Sequence, residues 1–190
     1  MIRLNNIFFS YGDKKVFDNF TLDIGSNDRL WLSGQSGCGK TTLLRLILGL
    51  ETSQKGEIIK DISLKPSVVF QEDRLLPFKT ALQNIMLVTN DETLAKENLE
   101  ALGLKTEADT LVSELSGGMK RRVAIARALS VPFDYLILDE AFTGLDKQNI
   151  EIAIKQILKI AKDKAIILVS HSPLEAELLG AKQINCQALL

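Results

Sequence analysis

The chain has few of the residues that break or staple a backbone. Its 190 residues include 2 Cys, 4 Pro, 12 Gly and a single His. So little Gly and Pro excludes a collagen-like or low-complexity chain. Cys38 and Cys186 lie far apart and in no metal-ligand spacing. A small secreted fold would carry a denser, even cysteine framework, so both are expected to be reduced thiols of a cytosolic protein. Excess charge is also missing, with 23 basic against 24 acidic side chains and a net charge of −1. A general nucleic-acid binder needs a basic surplus to neutralise phosphates, so no nucleic-acid partner is expected. No apolar run approaches the ~18–20 residues that span a bilayer. The aliphatic stretch from Leu43 to Leu50 is broken by Arg45. Residues 1–15 have no apolar core followed by a small-residue cleavage site, so no signal peptide is expected.

What remains is apolar content: 46% of the chain is hydrophobic and 25% charged. With net charge near zero this disfavours disorder, and the length suits one domain, residues 1–190. Residues 29–33, 67–71, 135–139 and 165–169 are short apolar runs followed by polar or turn residues. Such runs fit strands buried on both faces of a parallel sheet. Helical spacing follows most of them. Ile150, Ile154, Ile157 and Ala161 recur at three- and four-residue steps behind Asp146 and Lys147. Alternation of this kind predicts an α/β layer fold with ligands at the carboxyl ends of the strands. Residues 72–129 depart from it. They read as helical, with Leu94, Ala95, Asn98, Leu99 and Leu102 on one helix between Asp91 and Gly103, and so as a helical insertion. Residues 2–9, 17–24 and 57–64 alternate and are separated by turn signals, which predicts an antiparallel sheet beside the core.

Residues 34–41, Gly-Gln-Ser-Gly-Cys-Gly-Lys-Thr, fit G-x-x-x-x-G-K-[ST] between a strand and a helix expected over 41–50. The glycines let successive N–H groups curl inward, and the helix start adds partial positive charge, so the loop can cradle phosphates. Lys40 is expected between the β- and γ-phosphates. The Thr41 hydroxyl suits Mg2+, which prefers hard oxygen ligands. A second hydrophobic strand ends in Asp139-Glu140. Parallel strands end together at one edge, so this pair can reach the loop: Asp139 to hold Mg2+, Glu140 to polarise an attacking water. These features alone leave kinases, GTPases, helicases and transport ATPases open.

Residues 115–129, Leu-Ser-Gly-Gly-Met-Lys-Arg-Arg-Val-Ala-Ile-Ala-Arg-Ala-Leu, lie just before the 135–139 strand. This segment resembles the signature of ATP-binding cassette (ABC) ATPases, and the resemblance runs over essentially the whole chain. It implies the ABC ATPase fold: a P-loop core with a parallel sheet, an antiparallel β-subdomain and a helical subdomain over about 72–129. It implies ATP and Mg2+ as ligands. Gly34, Gln35, Ser36, Gly37, Cys38, Gly39, Lys40, Thr41 and Thr42 fall at the phosphates, and Tyr11 at the adenine. Gln71 matches the Q-loop glutamine, Asp146 belongs to the D-loop, and His171 matches the switch histidine. Catalysis falls to Glu140 with His171 and Gln71, and the metal to Thr41, Gln71 and Asp139. Ser116, Gly117 and Gly118 would bind the γ-phosphate of a second copy, because in this family two cassettes pair head to tail.

Some residues depart from the pattern. Met119 stands where Gln is commoner, Ser172 where Asp is frequent, and the segment 56–69 is short. Ser172, Pro173 and Glu175 read as an N-cap, a first-turn proline and a capping-box acid. Residues 68–85 and the run LSGGMKRR resemble importer ATPases of the nitrate, sulfonate and taurine type. That resemblance implies transmembrane permease partners, an extracytoplasmic solute-binding protein and a place on the cytoplasmic face of the membrane. It leaves open whether the cassette pairs with itself or a relative. ABC ATPases acting on DNA or ribosomes are disfavoured, because the chain has neither a long coiled-coil insertion nor two cassettes. A degenerate module is opposed by the retained Lys40, Asp139, Glu140 and His171.

Overall fold

The computed structural model describes residues 1–186. In chain order its elements are β1 (Ile2–Tyr11), β2 (Lys14–Ile24), β3 (Arg29–Ser33), α1 (Lys40–Leu48), β4 (Lys55–Lys60) and β5 (Pro66–Val69). Next come α2 (Ala81–Met86), α3 (Glu92–Ala101), a short 3-10 turn, α4 (Gly117–Leu129) and β6 (Tyr135–Asp139). The last are α5 (Lys147–Ile160), β7 (Ala165–Val169), α6 (Pro173–Leu179) and β8 (Lys182–Asn185).

The five-stranded sheet is parallel throughout, in the order β5-β6-β7-β3-β8. β7 is aliphatic along its length and β6 through Leu136–Leu138, because both faces are covered there. Alternation survives inside that uniform chemistry. Leu136 and Leu138 of β6 and Ile166 and Leu168 of β7 pack with α2, α3, α4 and α5. Tyr135, Ile137, Ala165, Ile167 and Val169 turn the other way, into a core shared with α1, β1 and β2. The parallel sheet is thus the middle layer. The α5 face expected from periodicity is present: Ile150, Ile154, Ile157 and Ala161 are all buried. The strand expected over 67–71 ends earlier, at Val69, so Gln71 lies in the loop beyond it. β8 has no counterpart in the sequence reading. It is a polar edge strand with only Ile184 half-buried, and its polarity hides it from a search for apolar runs.

The antiparallel sheet, β2-β1-β4, lies against the α1 side. On β1 the inward residues are Ile2 and Leu4, then Ile7 and Phe9. The phase slips at Asn6, whose φ is 49°, where the register with β2 also shifts. A β-bulge re-aims the side chains in this way. Gly56 on β4 packs against the same irregularity with φ 80°, and a Cβ there would stand 2.4 Å from the carbonyl oxygens of both Asn5 and Asn6.

Helix starts follow their capping residues. Asp91 accepts from the Leu94 amide at 2.9 Å, and Asp146 from the Asn149 amide at 2.8 Å. Thr80 and Gln83 form a reciprocal capping box on α2. The start of α6 differs from the expected box. The Ser172 side chain makes no cap bond, and Pro173 opens the helix. Ser170 takes the place of Ser172: its hydroxyl donates to Glu175 and accepts from the Ser172 amide. Glu175 is turned inward to that hydroxyl and leaves the box unformed.

Gly56→Ala is expected to destabilise the fold by more than about 2 kcal/mol, since backbone oxygens cannot withdraw as a flexible side chain would. Urea unfolding checks this. An alanine variant as stable as the parent would contradict the assigned bulge.

Candidate functional site

The site begins where β3 ends. Gly34, Gly37 and Gly39 take φ of 144°, 83° and 101°, which only glycine adopts freely. At Gly39 space matters as well: a Cβ would lie 2.9 Å from Val16 Cγ1 of β2 and 3.1 Å from Phe17 Cζ. The loop is therefore laid flat on β2. α1 starts from Gly39 with no side-chain cap, whereas the side chains of Thr80, Asp91, Ser116 and Asp146 cap α2 to α5. The first amides of α1 are left for an anion.

Lys40 is buried, and its ammonium donates to the carbonyls of Gly34 at 2.7 Å and Gln35 at 3.1 Å. It lies 3.9 Å from Cys38 Sγ. Both cysteines are unpaired and buried. Burial pushes the Cys186 thiol up to about 12, with the neighbouring Cys38 adding to the rise.

β6 delivers the carboxylates to the same edge. Asp139 pairs in register with Val169 of β7, and the Glu140 amide donates to the Val169 carbonyl at 2.9 Å. Glu140 has φ 49°, a left-handed conformation that costs a non-glycine residue about 1–2 kcal/mol. Its Oε2 accepts from Gln71 Nε2 at 3.3 Å, and its Oε1 lies 3.8 Å from His171 Nε2. The His171 turn is anchored from below by Trp31, whose indole donates to the Ser170 carbonyl at 2.9 Å. Burial holds the Asp139 carboxyl above the usual carboxylate range. Glu140 adds to the rise and Lys40 opposes it.

These groups share one cleft of about 380 Å³. Its walls include eleven of the expected residues: Tyr11, Ser36, Gly37, Gly39, Lys40, Thr41, Thr42, Gln71, Asp139, Glu140 and His171. Gly34 and Gln35 lie behind it as acceptors for Lys40, and the Cys38 side chain points into the core. Ser116, Gly117, Gly118 and Asp146 do not line this cleft. Ser116 is exposed at the start of α4, and Gly118 packs beside Leu145 and Gly144 of the loop that ends at Asp146. Three wall residues escaped the sequence reading: Lys14, Val16 and Val169. Val16 carries only the alternation of β2 as its signal, so it reads as an ordinary core position.

Comparison with known proteins agrees with the geometry. The ABC transporter family matches residues 17–143. The chain belongs to the ATP-binding cassette family of ABC transporters. It is 35% identical to an uncharacterised ABC transporter ATP-binding protein of Methanocaldococcus jannaschii, with 95% of this chain and 74% of that protein covered. It is also 35% identical to the aliphatic sulfonates import ATP-binding protein SsuB of Burkholderia pseudomallei, over 98% of this chain but 60% of that protein. Among solved structures, a dimeric post-hydrolysis ATP-binding cassette bound to ADP and Pi superposes with a TM-score of 0.82. It is 26% identical, with 97% of this chain and 94% of that one covered. The cassette is an ATPase of the ABC fold. Among the described residues no helix is long and apolar enough to cross a membrane.

The cassette's donor set fits Mg2+ with a nucleotide. No group of three or more His, Cys, Asp or Glu among the described residues could chelate a metal unaided. The cleft instead offers a hydroxyl from Thr41, an amide from Gln71 and one carboxylate from Asp139. Mg2+ is ordinarily held by one or two carboxylates together with substrate phosphates.

A carboxyl whose pKa is raised on folding binds its proton more tightly in the native state, so stability falls as pH climbs through the carboxylate range. Asp139→Asn is expected to raise the melting temperature of the nucleotide-free cassette at pH 7. The gain should shrink as pH falls through the carboxylate range and vanish below about pH 3, where the aspartate is protonated in both states. Thermal scans at the two pH values check this, and a gain that persists in acid would refute the assignment.

Proposed function

We propose that this chain is the ATP-hydrolysing subunit of an importer, working as a head-to-tail pair of cassettes beneath separate transmembrane subunits. The observation that carries the reading is the separation of two phosphate-binding features. The P-loop cleft contains Lys40, Asp139 and Glu140, while Ser116, Gly117 and Gly118 do not line it. α4 is a 13-residue helix whose start is open, with nothing within 4 Å of a Cβ built on Gly117. Its first amides and dipole suit a γ-phosphate held by another chain. A two-fold axis then completes two sites at once, each from one P-loop and the other chain's α4.

In each site Tyr11 offers its ring to adenine at the cleft mouth. Residues 34–42 wrap the phosphates, and Lys40 exchanges its two carbonyl partners for β- and γ-phosphate oxygens. Thr41, Asp139 and Gln71 would hold Mg2+, which would supply positive charge to offset that of the phosphates. Glu140 accepts the proton of the attacking water as its oxygen bonds to the γ-phosphorus. The bond to the β–γ bridging oxygen breaks, leaving ADP and phosphate. Gln71 steadies the Glu140 carboxylate, and His171 donates to the γ-phosphate. Asp146 caps α5 beside the start of α4, on the surface offered to the partner. Hydrolysis loosens the pair, and the helical subdomain, about 72–129, carries the movement to the permease.

The importer assignment draws on the names of the sulfonate-import relatives and on residues 68–85. A groove of about 480 Å³ between α1 and the Gln71 loop, with Leu44, Leu48, Phe70 and Arg74 in its walls, provides a seat for a permease segment. In this reading the chain sits on the cytoplasmic face of the membrane and serves a system with an extracytoplasmic solute-binding protein.

Glu140→Gln is expected to bind ATP within about threefold of the parent and to lose at least about 100-fold in turnover. It should accumulate as an ATP-bound dimer, measured by light scattering. A Glu140→Gln chain that stays monomeric at saturating ATP would overturn the paired site. Lys40→Ala is expected to weaken ATP binding at least about tenfold by calorimetry, through loss of charge-assisted bonds to phosphate. The importer assignment is checked by isolating the tagged chain from its own cells. Recovery with a polytopic membrane protein supports it, and recovery wholly without one rejects it.

A further inference from the structure

α4 carries two arginines that reach across to the segment leaving β5. Arg121 donates to the carbonyl of Phe70 at 2.8 Å and to that of Gln71 at 2.6 Å. Arg127 donates to the carbonyl of Arg74 at 2.7 Å and to that of Asp73 at 2.8 Å. Two side chains of one helix thus hold four carbonyls within five consecutive residues. The order is kept along the helix: Arg121 takes the two residues next to β5, and Arg127 takes the two beyond Glu72. The segment is also folded on itself, with the Arg74 guanidinium 3.8 Å from the centre of the Phe70 ring.

Arg121 is only 8% exposed. Asp73 Oδ1 lies 3.2 Å from its NH1 but out of line, and neither that oxygen nor Arg121 Nε has a hydrogen-bond partner among the described residues. The aligned bonds go to the main chain. Carbonyls therefore set the orientation, and the carboxylate contributes charge alone. An apolar side chain of similar size would fill this space without the cost of burying a cation. What the arginines hold is the segment that carries Gln71, whose amide touches Glu140.

We infer that Arg121 and Arg127 are positioning residues for hydrolysis, fastening residues 70–74 to α4 so that Gln71 and the Ser116–Gly118 end of the helix move as one body. This rests on the proposed function, because the movement matters only when the start of α4 meets a second nucleotide. Engagement of that end then shifts the Gln71 amide relative to Glu140 in the chain's own cleft. Each cassette reads the state of the other site through this clamp.

The test uses Arg121→Lys and Arg127→Lys, which keep the charge but replace a planar fork, with its separate nitrogens for separate carbonyls, by one point donor on a flexible stem. Each is expected to lower kcat about tenfold or more. KM for ATP should stay within about twofold, since uniform binding is untouched. In the nucleotide-free protein the amides of residues 70–74 should exchange hydrogen faster than in the parent. Placed on Gln71→Ala, the Arg121→Lys change should cost less than about twofold more, because the group it positions is gone. Unchanged exchange over 70–74, or an undiminished loss on the Gln71→Ala background, overturns the clamp. An unmodified chain without turnover is a separate result that overturns the proposed function, and exchange over 70–74 still decides whether the clamp exists.

Discussion

The parallel register of β6, β7 and β3 is the constraint on which the site depends. Asp139 pairs with Val169, and Leu32 pairs with the same valine from the other side. Those pairings bring the ends of three strands level at one edge. The loop after β3 and the acids after β6 are separated by about half the chain in sequence, yet they face the same cleft. Nothing local in either segment brings them together. The two-sided core does so, because a slip of one residue in β6 would send Leu136 and Leu138 into the layer that holds Tyr135 and Ile137.

Within that frame, charge is left deliberately unbalanced. α1 lacks a capping side chain, Lys40 leans on carbonyls of its own loop, and Asp139 binds its proton more tightly than a free carboxylate. Each is a small local cost in charge or in uncapped backbone. Glu140, held in a left-handed backbone between Gln71 and His171, is a further cost at the same place. Such local costs are tolerated because the aliphatic layers on both sides over-determine the fold.

α4 links the two halves of the chemistry. Its exposed start lies outside the walls of its own cleft, while its buried length holds the loop that carries Gln71. Ser67 ties the far end as well, its hydroxyl donating to the Ala128 carbonyl at 2.7 Å. Across the helical layer, Asn98 donates to Ser130 at 2.9 Å and accepts from Gln156 at 2.9 Å, joining α3, α4 and α5 through a satisfied polar core. The helix is rigidly seated at its end and aimed outward at its start.

Much of this was legible in the residues alone. The phosphate loop, the acid pair and the four apolar strands announce themselves, because glycine conformation, charge and burial on both faces leave direct marks on composition. The caps at Asp91 and Asp146 are local and were equally readable. The folded structure alone decided three things. β8 joins the sheet through backbone pairing with β3 and a bond from Gln183 to the Ser33 hydroxyl, neither of which an apolar pattern marks. Ser170, not Ser172, partners Glu175, because the buried acid turns toward the nearest inward hydroxyl. Arg121 and Arg127 grip carbonyls some 50 positions away in sequence, a bond that no periodicity encodes because backbone acceptors carry no residue identity.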